Sequence, residues 1–154
     1  RALELTVGYT RDRVQFGRPI ASFQALQHRM ADLHVLVESA RSLSGAAASA
    51  AAAPASAPDA PADAPAAAPA DAPDPGLLAA AAKAYCSEAL LTVAAEMIQL
   101  HGALGITWEH PAHRYFKRAH GMAHLFGPPA DHIARIAAAV LDDPAAPAGG
   151  PTRH

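Results

Sequence analysis

The sequence predicts an all-α fold, an antiparallel helical bundle, on three observations. Apolar residues recur at steps of three and four over long stretches, and no stretch reads convincingly as a strand. The length, 154 residues, suits one domain and is short for two. The helical stretches are separated by glycine- and proline-bearing corners, as helix-to-helix packing requires.

The first element is expected over residues 2–12, where Ala2, Leu5 and Tyr9 share a face. A second helix, its start set by Pro19, carries Phe23, Leu26, Met30, Leu33, Val37 and Ala40 on one stripe. A long amphipathic helix follows with Cys86, Leu90, Val93, Met97 and Leu100 inward, and it stops at Gly102 and Gly105. A shorter helix begins near Pro111 and carries Tyr115, Ala119 and Met122. The last spans 129–141, with Ile133, Ile136 and Val140 inward and Asp131 in the first turn, where a negative charge suits the helix dipole.

Between the second and third helices lies "GAAASAAAAPASAPDAPADAPAAAPADAPDPG", residues 45–76, with seven prolines and nothing larger than aspartate or proline. It can build no core, and its prolines stop a helix by about Ala53, so a disordered, partly polyproline-like spacer is expected. Loop closure makes such an insertion cheap: about thirty residues in place of five costs roughly 1.6 kcal/mol. The organisation expected is one helical domain over 1–142 with the 45–76 spacer inside it, then a disordered tail over 143–154.

Apolar residues make up 51% of the chain but aromatics only 5%, so alanine inflates the apparent core. The net charge of −2 conceals four aspartates in the spacer; the remainder holds twelve bases against ten acids, which gives no reason to expect nucleic acid. The lone Cys86 excludes an internal disulfide, and on its inward stripe it should act as a small hydrophobe. With no leader-like or unbroken membrane-length apolar run, a cytoplasmic location and no membrane span are expected. The first helix is under way by residue 2, as in a chain cut from something longer.

Nine histidines invite a metal reading, since His110 with His113, and His120 with His124, share helical faces. Neither pair has a clear third ligand and no H-E-x-x-H occurs, so no metal site is expected. His28 and His101 adjoin apolar stripes and read as core histidines. Around "TRDRVQFGRPIASFQALQH" three arginines flank Phe16 and Gly17; the guanidinium fork suits a pyrophosphate, and a plain solvated corner serves equally well. "IQLHGALGITWEH" ends a helix on glycines that would admit a flat ligand, or are simply a C-cap.

Three stretches in order, "RVQFGRPIASFQALQHRMAD", "QLHGALGITWEH" and "YFKRAHGMAHLFGPPADHIARI", resemble the C-terminal helical domain of the acyl-CoA dehydrogenases. The resemblance covers nearly everything outside the spacer and tail. It implies an FAD-dependent desaturation of acyl-CoA thioesters between the α and β carbons, with an electron-transfer flavoprotein as acceptor. It also implies a homo- or hetero-oligomer of acyl-CoA dehydrogenase subunits, with FAD shared across a subunit interface. By the same resemblance Arg13 would meet the flavin pyrophosphate, Gln15, Phe16 and Gln24 would line that corner, and Gln99 with the Gly102-Ala103 turn would approach the adenosine. Ala103 departs from the usual second glycine.

Many members carry Glu-Gly-Thr at the last turn, the glutamate being the α-proton base; here stands Gly127-Pro128-Pro129. Neither residue type can accept the proton, so no catalytic residue is expected in this chain. Glu109 and Asp131, the nearest carboxylates, read as a surface residue and a dipole partner. The alternative function is a non-enzymatic helical interaction module, or a remnant fragment, with no flavin binding.

Overall fold

The computed structural model describes residues 1–53 and 74–141. It consists of five α-helices, with one short hairpin among the described residues: α1 (Ala2–Asp12), β1 (Val14–Gln15), β2 (Arg18–Pro19), α2 (Gln24–Ala52), α3 (Pro75–His101), α4 (Ala112–His124) and α5 (Pro129–Leu141). Single 3-10 turns at Ile20–Ser22 and Gly102–Ile106 lead into α2 and out of α3.

The helix α3 is the axis of the bundle and packs against all four other helices. Its direction relative to its neighbours follows from cross-contacts. Arg29 meets Glu96 while Cys86 Sγ donates to the Ala40 carbonyl, so α2 runs antiparallel to it. Tyr9 reaches the His101 carbonyl, and Ala2 joins the cluster of Val93, so α1 runs alongside it in the same sense. By length and composition Pro75–Ile106 is apolar enough to cross a membrane. Here part of that apolar surface is covered by the four other helices, against which Ala80, Ala84, Ala89 and Ala94 are buried. The core gathers Leu33, Val93, Met97, Leu100 and Ala112, with Leu26, Met30, Val37 and Tyr115 packed on it.

Helix ends are fixed by local chemistry. Asp74 caps α3, its carboxylate accepting from the Gly76 amide at 2.8 Å with Pro75 in the first turn. Lys83 clamps the far end of α4: its ammonium donates to the Met122 and Ala123 carbonyls at 3.2 Å each and to Ser87 Oγ at 2.7 Å.

α2 takes in residues 45–52 at the start of the spacer and stops at Ala52, in keeping with the helix limit expected near Ala53. Four details correct the sequence reading. Pro75 and Gly76, the end of the spacer, open α3. The rest of that spacer, 54–73, and the tail lie outside the described residues. Pro19 ends β2 instead of starting α2, which begins at Gln24. Ile133 and Val140, expected inward, are exposed, and no residue of α5 is fully buried. Finally, His28 is exposed, whereas His101 is the core histidine expected.

Candidate functional site

The chain leaves α1 at Arg13, whose carbonyl accepts from the Ile20 amide at 2.8 Å, and the intervening residues close a hairpin. Val14 pairs with Pro19 and Gln15 with Arg18. The two turn residues, Phe16 and Gly17, have φ of 54° and 77°. Positive φ at both positions is the geometry of a type I′ turn, which glycine adopts freely and phenylalanine adopts at a cost. Phe16 is nonetheless 91% exposed, touching only the edge of Phe23 within this chain's aromatic contacts. Arg18 is held over the Phe23 ring at 4.0 Å, while Arg13 forms no ion pair among the described residues.

The second half of the site is the C-terminus of α3. Gly102 leaves the helix at φ 58° and ψ −137°, a conformation open to glycine and strained for other residues, and nothing lies within 4 Å of where a Cβ would stand. The exiting backbone is therefore bare. Gly105, one turn on, is buried because the chain folds back against Ile98 and His101.

These halves meet. Arg13, Gln15, Gln99, Gly102 and Ala103 line one open cavity of about 350 Å³, with Tyr9 and His101 on its inner side. Phe16 projects from the hairpin tip and Gln24 opens α2; neither lines the cavity. Sequence reasoning missed Tyr9 and Arg29 as lining residues. Arg29 is secured by Glu96 at 2.7 Å, an ion pair joining α2 to α3 beneath the cavity. A larger cavity, about 490 Å³, opens between α1, α2 and α3 over Val37, Leu90 and Val93; it holds none of the expected residues.

The geometry accommodates one part of a dinucleotide. The cavity supplies a cationic fork, two side-chain amides and an uncovered glycine backbone, which suits a phosphate with an attached ring system. It is too small and too open to enclose a whole FAD.

The other candidates are occupied locally. His110 Nδ1 accepts from the Ala112 amide, and Nδ1 of His113 and of His120 are bonded to the backbone one turn earlier. Among the described residues no three potential ligands could share a metal ion. Cys86 does have a cationic neighbour, Lys83, but burial is the larger effect and pushes the thiol up, away from nucleophilic character. At the final turn Phe126 and Gly127 have φ of 61° and 96°, and His132 Nε2 donates to the Phe126 carbonyl at 3.0 Å. From Leu125 to Ala130 there is no carboxylate; Glu109 and Asp131 are both exposed.

The family model for the acyl-CoA dehydrogenase C-terminal domain matches residues 1–141. The chain is 47% identical over 141 residues to acyl-CoA dehydrogenase IpdE2 of Mycolicibacterium smegmatis, covering 92% of this chain and 38% of that protein. Among solved structures it resembles a chain of the ChsE4-ChsE5 complex from Mycobacterium tuberculosis, with TM-score 0.76, 30% identity, and coverage of 94% of this chain and 34% of that one. Butyryl-CoA dehydrogenase from Megasphaera elsdenii superposes with TM-score 0.74 at 27% identity, over 91% of this chain and 32% of that one. The chain thus spans from just under a third to just under two fifths of the length of these relatives. With the fold, the three motifs and the family match in agreement, this chain belongs to the acyl-CoA dehydrogenase family, whose members are flavoproteins, and is its C-terminal helical domain.

Proposed function

We propose that this domain forms one wall of an FAD site completed by another acyl-CoA dehydrogenase subunit, and serves acyl-CoA desaturation without contributing the base. The observation that carries the reading is the convergence of Arg13 and Gln15, from one end of the chain, with Gln99, Gly102 and Ala103 from the far end of α3. Arg13 would grip the pyrophosphate bidentately, and Gln15 and Gln99 would hydrogen-bond its flanks. The bare Gly102 backbone would admit the adenosine edge; the Ala103 methyl borders the same opening. FAD, when bound, supplies the hydride acceptor for the desaturation. The turn at Phe126-Gly127-Pro128-Pro129 offers backbone carbonyls and no side-chain proton acceptor, so the α-proton base is assigned to a residue outside this chain.

The test is co-expression with a full-length acyl-CoA dehydrogenase subunit. A yellow complex is expected, and Arg13→Ala should weaken flavin retention roughly ten- to a hundredfold, the loss of one charge-assisted hydrogen-bonding group. A colourless chain that joins no complex, or a complex whose flavin ignores Arg13→Ala, overturns the proposal in favour of a non-enzymatic interaction module.

A further inference from the structure

Beneath the cavity three rings meet, Tyr9 stacked on His101 and His110 tilted against it. The His101 ring lies 4.3 Å from Tyr9, nearly parallel to it, and 4.2 Å from His110 on another contact, so α1 and the segment before α4 both bear on it. His101 itself is 3% exposed. Its Nδ1 lies 2.7 Å from the Met97 carbonyl, which can only accept, so Nδ1 carries the proton. The backbone of the same residue is also engaged: its carbonyl accepts from Tyr9 Oη at 3.4 Å, and its Cβ abuts Gly105. His101 is the last residue of α3, and the next residue is Gly102, where the chain turns at positive φ into the cavity wall. One buried side chain thus ties the exit of α3 to α1, to the following 3-10 turn and to the approach of α4.

We propose that His101 is a positioning residue: its ring, held by the Met97 carbonyl and clamped by Tyr9 and His110, sets the Gly102-Ala103 turn at the height needed to face Arg13 and Gln15. The idea rests on the flavin-wall reading for its functional meaning but makes a claim about the turn that can be read without flavin. Without the clamp, Gly102 would sample the wide range open to glycine, and a ligand would have to order the turn on binding.

The arrangement is also sensitive to acid. The charged or titratable groups around the clamp are Tyr9 on α1, Arg13 after it, Arg29 on α2 paired with Glu96 on α3, and His110 and His113 beyond the turn. Of these, His110 is held below the usual imidazole range by burial first, then by His101 and His113. Acid that does charge His110 places a cation 4.2 Å from the buried His101 ring and opposes the stack.

The experiment uses the whole 154-residue chain, labelled with nitrogen-15, and has three parts. Imidazole nitrogen shifts at neutral pH are expected to show His101 as the Nδ1–H tautomer; the Nε2–H tautomer or a charged ring overturns the proposal. Hydrogen exchange at Gly102 to Ile106 is expected to accelerate about tenfold or more in His101→Leu, as for loss of one buried hydrogen bond, with α1 and α2 unchanged. Equal exchange in variant and wild type overturns it. His110→Phe, which keeps an aromatic against His101 and removes the titration, covers the case in which His101→Leu does not fold. It should leave the turn protected at neutral pH and abolish the loss of protection, relative to the intrinsic exchange rate, that is expected of wild type in acid; retained acid sensitivity counts against the clamp. ADP, titrated as a probe of the cavity, separates this proposal from the one it rests on. Arg13→Ala should abolish ADP binding without changing exchange at the turn, whereas His101→Leu should change both. If Arg13→Ala leaves flavin retention in the co-expressed complex unchanged while the exchange results hold, the flavin wall is wrong and the clamp stands.

Discussion

Gly105→Ala should cost more than its single methyl suggests, and the reason is the position of three atoms. An alanine Cβ there would stand 2.5 Å from the Ile98 carbonyl oxygen, 3.0 Å from Ile98 Cα and 3.2 Å from His101 Cβ. Two of these belong to the backbone of the last turn of α3, held in place by the burial of Leu100 and His101 beside it, so the turn must move outward by close to 1 Å. Overpacking of this kind costs about 1–3 kcal/mol, and the backbone neighbours place this case near 2 kcal/mol. Alanine's advantage over glycine in a regular segment, up to about 1 kcal/mol, does not offset it in this short turn. For a domain of this size that corresponds to a fall in Tm of roughly 6–10 °C. Urea unfolding followed by circular dichroism gives the free energy directly, with an unchanged slope confirming that the denatured state is not the cause. Gly8→Ala and Gly121→Ala are the controls. Both are exposed glycines inside helices with nothing within 4 Å of a new Cβ, and each should stabilise by about 0.5–1 kcal/mol. If Gly105→Ala lies within about 0.5 kcal/mol of wild type while the controls behave, the close approach of the turn to α3 is wrong.

Lys83→Met removes two hydrogen bonds donated to the end of α4 and one donated to Ser87 on α3, but water can reach part of that site, so the expected loss is about 1 kcal/mol by urea titration. His110→Asn keeps an acceptor for the Ala112 amide and deletes a titrating ring. Because the folded-state value of His110 lies below the ordinary 6.5, wild-type stability is fully present above that pH and declines as acid takes the unfolded chain through it. The difference between urea midpoints at pH 7.5 and pH 5.5 should therefore be smaller in His110→Asn, and an identical difference would remove His110 as its source. Phe16→Asn places at φ 54° a residue that tolerates it, so stability should hold or rise by up to about 1 kcal/mol. A loss in thermal unfolding would mean that the exposed ring packs in some way absent from its contact with Phe23.

Periodicity made the helices legible because each packs one stripe against α3. Ala2, Leu33, Val93 and Met97 are buried where the three- and four-residue steps put them. The hairpin escaped because strands of two residues have no period, and its turn depends on a phenylalanine in a conformation that residue type seldom adopts. The apolar stripe of α5 was legible, but Ile133 and Val140 remain exposed, since amphipathicity says which face is apolar and not what covers it. At the site, motif resemblance anticipated Arg13, Gln15, Gln99, Gly102 and Ala103, which the fold brings to one cavity. Nothing local could have joined Tyr9 to His101, because that contact exists only once α1 lies alongside α3.

Two phenylalanines outside regular structure point to where this domain does its work. Phe16 and Phe126 both hold positive φ, at a cost on the order of 1–2 kcal/mol each, and both leave most of the ring in solvent, 91% and 83% exposed. Burial does not repay that cost inside the domain, so contact with something beyond it is the natural return. For Phe16 the neighbouring cavity with Arg13 and Gln15 is where the proposed cofactor and second subunit would meet it. For Phe126 the matter is chemical as well: its turn puts forward an apolar ring and two prolines, with no carboxylate from Leu125 to Ala130. Cationic and amide groups positioned at one corner, with no side-chain proton acceptor at the other, are what the proposed role requires: to hold a cofactor while the reacting proton is removed elsewhere.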